Sequence, residues 1–401
     1  MKMSDNWFAV IGAGNGGKAM AAHLSLMGAK VTLYNRTWRN IELIQEQGGI
    51  YLTSSEQKYR GFGEIHLVTS SIETAVKNSD IIMVVVPAFA HASIAIKMAT
   101  HLQDGQIIIL NPGRTFGSFE FCKVLNQSGC KAQVVVAETQ TFIYASRSIG
   151  PAQAFIYRVK KAVPLAAFPA CDTSIALDAI GPYYPQFIDG KTVLHTGLNN
   201  IGAVFHPTIT LHNAGWIEST AGDFQFYLDG VTPTVACLME AIDRERVRVG
   251  RELGIDVFTA QEWLKLAYDS VGTSLYEVIH NQGGYRGIKA PPSINHRYIN
   301  EDIPMSLVPM ASLGKMFGIR VRAMESIIRL ACIARNTDYW EAGRTMEKLG
   351  LAQLQKSEII SLALGEIEKV IPSMDWLSLK ATAKAGNEKD KNGHSVAASI
   401  N

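Results

Sequence analysis

The strongest constraint on how this chain can fold lies near its start. An apolar run at residues 7–11 ends in Gly12-Ala13-Gly14-Asn15-Gly16-Gly17, and a helix-length segment at 17–27 follows. Gly12 permits a tight turn, Gly14 lets backbone approach a pyrophosphate, and Gly17 allows close helix–strand contact. The helix N-terminus beyond offers unpaired N–H groups and a partial positive charge to phosphate. A second apolar run at 30–34 completes a strand–helix–strand unit. The motif in that setting predicts a dinucleotide-binding unit, with Asn15 and Gly16 in the same phosphate loop.

The alternation continues. Further apolar runs at 81–86, 107–110 and 133–137 are separated by helix-length segments such as 37–47, 90–100 and 116–125. Strands apolar on every residue are expected where helices cover both sheet faces. The pattern therefore predicts a doubly wound, mostly parallel α/β sheet, which the runs at 154–159 and 162–167 would extend. Near Thr196 the texture becomes helical, through 237–253, 307–317, 321–335, 340–349 and 352–369. The expected division is an α/β domain at 1–196 and an all-α domain at 197–379. Residues 380–401, small, polar and without an aromatic, read as a disordered tail. A Gly/Pro-rich loop at 283–295 is of the kind that carries function.

Composition excludes whole classes of partner. The 401 residues hold 38 Lys+Arg against 36 Asp+Glu, a net +2, and the pI of 8.2 lies below the range of about 9 typical of nucleic-acid binders. No window approaches the roughly 18 apolar residues of a membrane span. The polar N-terminus has no signal-peptide pattern, so a cytoplasmic location is expected. Five scattered cysteines without a Cys-x-x-Cys pair read as small buried hydrophobes. His206 and His212, six residues apart, face different ways on a helix, so no metal site is expected. A homo-oligomer remains open.

The corner after the second strand reads Asn35-Arg36-Thr37, where an NAD site usually carries an acidic residue for the ribose 2′-hydroxyl. No carboxylate stands there to repel a 2′-phosphate, and Arg36 can pair with one. NADP(H) is therefore the expected cofactor, with NAD(H) second. Ligands of open α/β sheets bind beyond the strand C-termini, so Pro87, Asn111 and Glu138 are expected to line the cofactor face.

The helical half must supply the chemistry. Two stretches stand out, Asn199 to Pro207 and Asn295 to Pro304. His206 before Pro207 suggests a cap position with proline first in the helix. The charged run at 243–251 reads as a solvated helix face, with Arg246 able to point inward.

Together the glycine motif, Asn111-Pro112-Gly113, Asn200 through His206-Pro207, Phe226-Tyr227-Leu228-Asp229-Gly230 and Asp243-Arg244-Glu245-Arg246 form an ordered set. Its most telling member is His296-Arg297-Tyr298, with Asp302-Ile303-Pro304 after three residues. In these motifs the chain resembles the opine dehydrogenases of the octopine/nopaline dehydrogenase group. The resemblance implies a Rossmann domain joined to an all-α substrate domain. It also implies NAD(P)H-dependent reductive condensation of an α-keto acid with an amino acid or amine, through an imine. By position, His206 resembles the family's catalytic histidine, Asp302 its acidic partner, and Arg297 its carboxylate-binding arginine, with Tyr227 in the substrate site. The rival readings are a ketopantoate or β-hydroxyacid type reductase, which relies on a lysine that no comparable motif supplies here, and a non-enzymatic dinucleotide-binding protein.

Overall fold

The computed structural model describes residues 6–366, so the expected tail at 380–401 lies outside the described residues. In chain order the strands are β1 (Trp7–Ile11), β2 (Lys30–Tyr34), β3 (Gly49–Ser54), β4 (Gly61–Glu64), β5 (Leu67–Thr69) and β6 (Ile81–Val84). They continue as β7 (Ile107–Leu110), β8 (Val135–Thr139), β9 (Tyr144–Gly150), β10 (Gln153–Val159), β11 (Val163–Phe168) and β12 (Phe187–Asp189). The main sheet runs β12-β11-β8-β7-β6-β1-β2-β5. Its pairs are parallel except where β11 meets β8 antiparallel.

The sheet's central strands explain their own composition. On β1, Phe8 and Val10 enter one core while Ala9 and Ile11 enter the other, the period-2 division of a sheet covered on both faces. On β7, Ile107 and Ile109 part from Ile108 and Leu110 in the same way. One of the two cores runs on without a break into the helical half, through Val204, Phe205, Ile303 and Leu307. That continuity brings the second half of the chain against the strand ends.

Two details differ from the sequence reading. The run at 154–159 does not extend the main sheet; β10 joins a separate four-stranded sheet, β4-β3-β10-β9. That small sheet packs over the first helix, Asn15–Leu26. The run at 133–137 begins late, so Glu138 and Thr139 end β8 instead of following it.

After β12 the described elements are helical, apart from one isolated bridge between Gln225 and Lys289 in the Gly/Pro-rich region. No described helix is long and apolar enough to cross a membrane. The run at 340–349 breaks into two short helices around Gly343 and Arg344. Arg344 is fully buried. Its Nε donates to Glu120 at 2.8 Å, Nη1 to the Gly113 carbonyl at 3.0 Å, and Nη2 to the Ala88 carbonyl at 3.2 Å. A buried arginine from the helical half thus holds the loops after β6 and β7. On the long Pro233–Glu252 helix the charged run divides: Arg244, Arg248 and Arg251 are exposed, while Asp243, Glu245 and Arg246 are buried, and Arg246 pairs with Asp243 at 2.6 Å and donates to the Leu198 carbonyl. The cysteines divide, with Cys122 and Cys130 buried, Cys332 half-buried, and Cys171 and Cys237 exposed.

Candidate active site

The phosphate loop has the shape its glycines require. Gly12 sits at φ +113°, and a Cβ there would lie 2.5 Å from the Val85 carbonyl oxygen. A Cβ on Gly17 would lie 1.7 Å from the Gly12 carbonyl oxygen. Gly16 packs against the Phe142 ring, whereas a Cβ on Gly14 meets nothing within 4 Å. Gly14 caps the Asn15–Leu26 helix with no side-chain hydrogen bond, and the first turn carries no acidic residue. The positive helix end and the open side of Gly14 fit a pyrophosphate. Asn15 is exposed, and its Oδ1 accepts from the Ser148 N–H of β9 at 2.9 Å.

At the end of β2, Asn35 is a local brace, its Oδ1 accepting from the Ala13 N–H at 3.3 Å and its Nδ2 donating to the Thr37 carbonyl at 2.9 Å. Arg36 and Thr37 are exposed beside it, and Arg36 has no ion pair among the described residues. Pro87 is exposed after β6. Asn111 is buried after β7, with Nδ2 on the Ile109 carbonyl and Oδ1 unpartnered.

Glu138 does not line this face. It is fully buried, accepting from the Ser118 N–H at 2.8 Å and from the Thr196 hydroxyl at 2.7 Å. Burial pushes its pKa up to about 6, against those hydrogen bonds. Because β8 extends two residues further than its apolar run, the carboxylate is drawn inside as a brace between strand and helices.

His206 lies inside the Gly202–His212 helix, not at its cap, because backbone bonds begin at Asn200 and Ile201 and Pro207 falls within the helix. Its Nδ1 is 2.8 Å from Asp302 Oδ2 and its Nε2 is 3.1 Å from the Tyr227 hydroxyl. Tyr298 stacks on the ring at 4.1 Å between centroids. Burial, first of all, raises the Tyr227 pKa well above its ordinary value, so its hydroxyl keeps its proton. Asp302 is fully buried at the start of a wide, π-type turn, Ile303–Leu307, a local geometry common at functional sites. Its Oδ1 lies 2.9 Å from Arg114 Nη1, an ion pair outside hydrogen-bond alignment.

The loop Asn111-Pro112-Gly113-Arg114 was expected to face the cofactor, and Glu301 had no assigned role, yet Arg114 and Glu301 tie the two halves together. Arg114 follows β7 at φ +62°, a left-handed conformation uncommon for a residue with a Cβ. Its guanidinium reaches both oxygens of Glu301, at 3.3 and 3.2 Å. Glu301 also accepts from the Ala88 N–H at 3.0 Å and pairs with Arg297 Nε at 3.1 Å. Burial pushes the Glu301 pKa up, but Arg114 and Arg297 outweigh it and hold the group ionised well below the usual carboxylate range. Adjacency to Asp302 and the i,i+4 spacing from Arg297 were the available signals. For the buried loop arginine the signal was its place beyond a strand C-terminus, which pointed to the cofactor and not to a carboxylate partner. Arg297 itself is half exposed. His296 caps the short Arg297–Asn300 helix, its Nδ1 accepting from the Tyr298 N–H, which makes it a structural neighbour.

Beside His206 lies a cavity of about 200 Å³. Phe205, Tyr227, Trp263, Tyr268 and Tyr285 give it aromatic walls, and Arg114, Gln140, Thr141 and Lys160 add polar groups. Lys160, at the end of β10, enters from the small sheet, which the sequence reading had placed elsewhere.

Comparison with known proteins agrees with the two-part architecture. The alpha-helical domain of NAD/NADP octopine/nopaline dehydrogenases matches residues 189–335, and the NAD binding domain of 6-phosphogluconate dehydrogenase matches residues 7–116. An opine dehydrogenase of Arthrobacter sp. (strain 1C) is 39% identical over 354 residues, covering 88% of this chain and 98% of the relative. The chain belongs to the opine dehydrogenase family. This opine dehydrogenase is an NAD(P)-dependent oxidoreductase that reductively condenses a keto acid with an amino acid. Octopine dehydrogenase solved with NADH and L-arginine shares the fold at a TM-score of 0.75 and 19% identity, over 90% of this chain and 98% of that one. Yersinopine dehydrogenase with NADP+ bound does so at 0.67 and 14%, over 94% and 100%.

Proposed function

We propose that this opine dehydrogenase prefers NADPH and passes the reaction's proton through His206. The observation that carries the proton-transfer reading is the line Arg114–Asp302–His206–Tyr227, whose last two members, joined through His206 Nε2, line the cavity. When bound, the reduced nicotinamide supplies a hydride.

The chain's own residues then do the rest. Asp302 accepts from Nδ1–H and fixes the ring, leaving Nε2 as the atom that gives or takes a proton at the cavity. Arg114 holds Asp302 from the far side, so the carboxylate cannot swing away. The Tyr227 hydroxyl keeps Nε2 aimed into the cavity and yields its place to a substrate oxygen or nitrogen. Arg297, tied through Nε to Glu301, leaves its planar Nη groups for a substrate carboxylate. The aromatic walls exclude water, which protects an imine from hydrolysis.

NADPH preference is supported by the exposed Arg36 beside a braced Asn35, with no acidic residue at that corner. The test is NAD(P)H oxidation across keto acids crossed with amino acids and amines. Oxidation that needs both partners is expected, and oxidation with keto acid alone would overturn the condensation. Arg36→Ala should weaken NADPH about tenfold, the low end for an exposed charge-assisted contact. NADH binding should barely change, and equal losses for both would refute the preference.

A further inference from the structure

The cations around the cavity are unequal in one respect. Arg114 is committed to Glu301 and Asp302, and His206 to Asp302. Lys160 lines the same cavity, yet its Nζ meets only the neutral Thr141 hydroxyl, at 2.6 Å. No carboxylate pairs with it among the described residues. Its backbone is fixed by a bond from its N–H to the Ile143 carbonyl at 3.0 Å, and the Thr141 hydroxyl holds the ammonium with no counter-charge among the described residues. A cation so placed is stabilised when an anion enters.

We propose that Lys160 is a substrate-anchoring residue, its ammonium binding the carboxylate of one of the two acids that the enzyme condenses. This rests on the opine dehydrogenase reading above. The division of labour follows from position. Arg297, half exposed and outside the cavity lining, is the carboxylate-binding arginine of the reading above, and Lys160 offers a second contact inside the cavity, which suits a product that carries two carboxylates.

The charge state of Lys160 supports the same role. Burial, and then the charge of Arg114, push its pKa down to about 7. The other titratable groups facing it across the cavity are His206, Tyr227, Tyr268 and Tyr285, and none of them is a carboxylate. An incoming carboxylate favours the ammonium, so binding is coupled to proton uptake. Above a pH of about 7 the affinity for the anchored acid should fall, by no more than the loss that removing the ammonium produces.

The test uses the full-length protein with Lys160→Met and Lys160→Arg. NADP+-loaded protein is titrated with pyruvate, with L-phenylalanine and with phenethylamine, which lacks the carboxylate, using Trp263 in the cavity wall as the fluorescent reporter. Steady-state constants are read in parallel. Lys160→Met should weaken one of the two acids by about 10- to 100-fold, with most of the loss in KM and a smaller one in kcat. Lys160→Arg should recover most of it. A loss confined to pyruvate assigns the anchor to the keto acid. A loss for phenylalanine but not phenethylamine assigns it to the amino acid. Unchanged affinity for both acids overturns the proposal. So does a fall in kcat alone with loss of one limb of its pH profile, which would make Lys160 a general base. If wild-type oxidation proves independent of any amine, the condensation fails, while the pyruvate titration still judges Lys160.

Discussion

Replacing Glu138 by glutamine should stabilise this protein at alkaline pH and leave its cofactor affinity nearly untouched. The carboxylate has no exposed surface, and burial raises its pKa from 4.5 to about 6 in spite of the hydrogen bonds from Ser118 and Thr196 and the charge of Arg344. An acid raised in this way binds its proton more tightly folded than unfolded. Between those two values the folded state holds the extra proton, so stability falls as pH rises through that window and stays lower above it. The difference corresponds to about 2 kcal/mol at pH 8. Glutamine has no charge to bury. Its carbonyl can take the Ser118 N–H, and its amide can face the Thr196 oxygen, whose hydroxyl then donates to the Val193 carbonyl it already reaches at 3.2 Å. Denaturant unfolding of wild type and Glu138→Gln at pH 4.5 and pH 8 reads the effect. The gap between them should move by about 2 kcal/mol in favour of glutamine from the lower to the higher pH, seen also as a few degrees in Tm. A gap equal at both pH values would refute the burial cost. A large loss of NADPH affinity with an unchanged gap would return Glu138 to the cofactor face.

Other perturbations isolate other parts of the site. His206→Ala should lower kcat by about 10²- to 10⁴-fold, the usual worth of a positioned acid–base group, with NADPH affinity retained in a fluorescence titration. Gly14→Ala finds empty space for its methyl group, so its melting temperature without cofactor should match wild type. NADH and NADPH should both bind more weakly to it, and intact binding would place the pyrophosphate elsewhere. Arg344→Met removes the buried staple on Glu120, Gly113 and Ala88, and should cost about 3–5 kcal/mol of stability. A melting curve close to wild type would show that the two halves do not depend on that contact.

Much of the fold was legible because its signals are local. Gly12, Gly14 and Gly17 announce themselves through their spacing at the end of an apolar run, and β1, β6 and β7 through uninterrupted apolar runs. His206, Tyr227 and Asp302 were found through motif resemblance, and the structure does bring them into one hydrogen-bonded line. The failures are also physical. Residues 154–159 have the composition of a strand but nothing that says which sheet they join, and that choice carries Lys160 into the cavity. Glu138 sits at the edge of an apolar run, where a two-residue difference in strand length turns an exposed end into a buried brace. His206 beside Pro207 suggested a cap because proline favours first turns, but the helix starts at Gly202 and contains it.

By itself the sequence determined the dinucleotide loop, the division between a sheet-rich half and a helical half, and the identity of the acid–base candidates. Each depends on neighbours in the chain: backbone conformation, side-chain period, or a short motif. Only the tertiary structure decided which charges neutralise one another. Arg114 meets Glu301 and Asp302 across a separation of nearly two hundred residues, Arg344 is buried against Ala88 and Gly113, and Lys160 faces the cavity without a counter-charge among the described residues. A charge in the sequence carries only its sign. Its partner and its exposure, which set its energy and its use, exist only once the chain has folded.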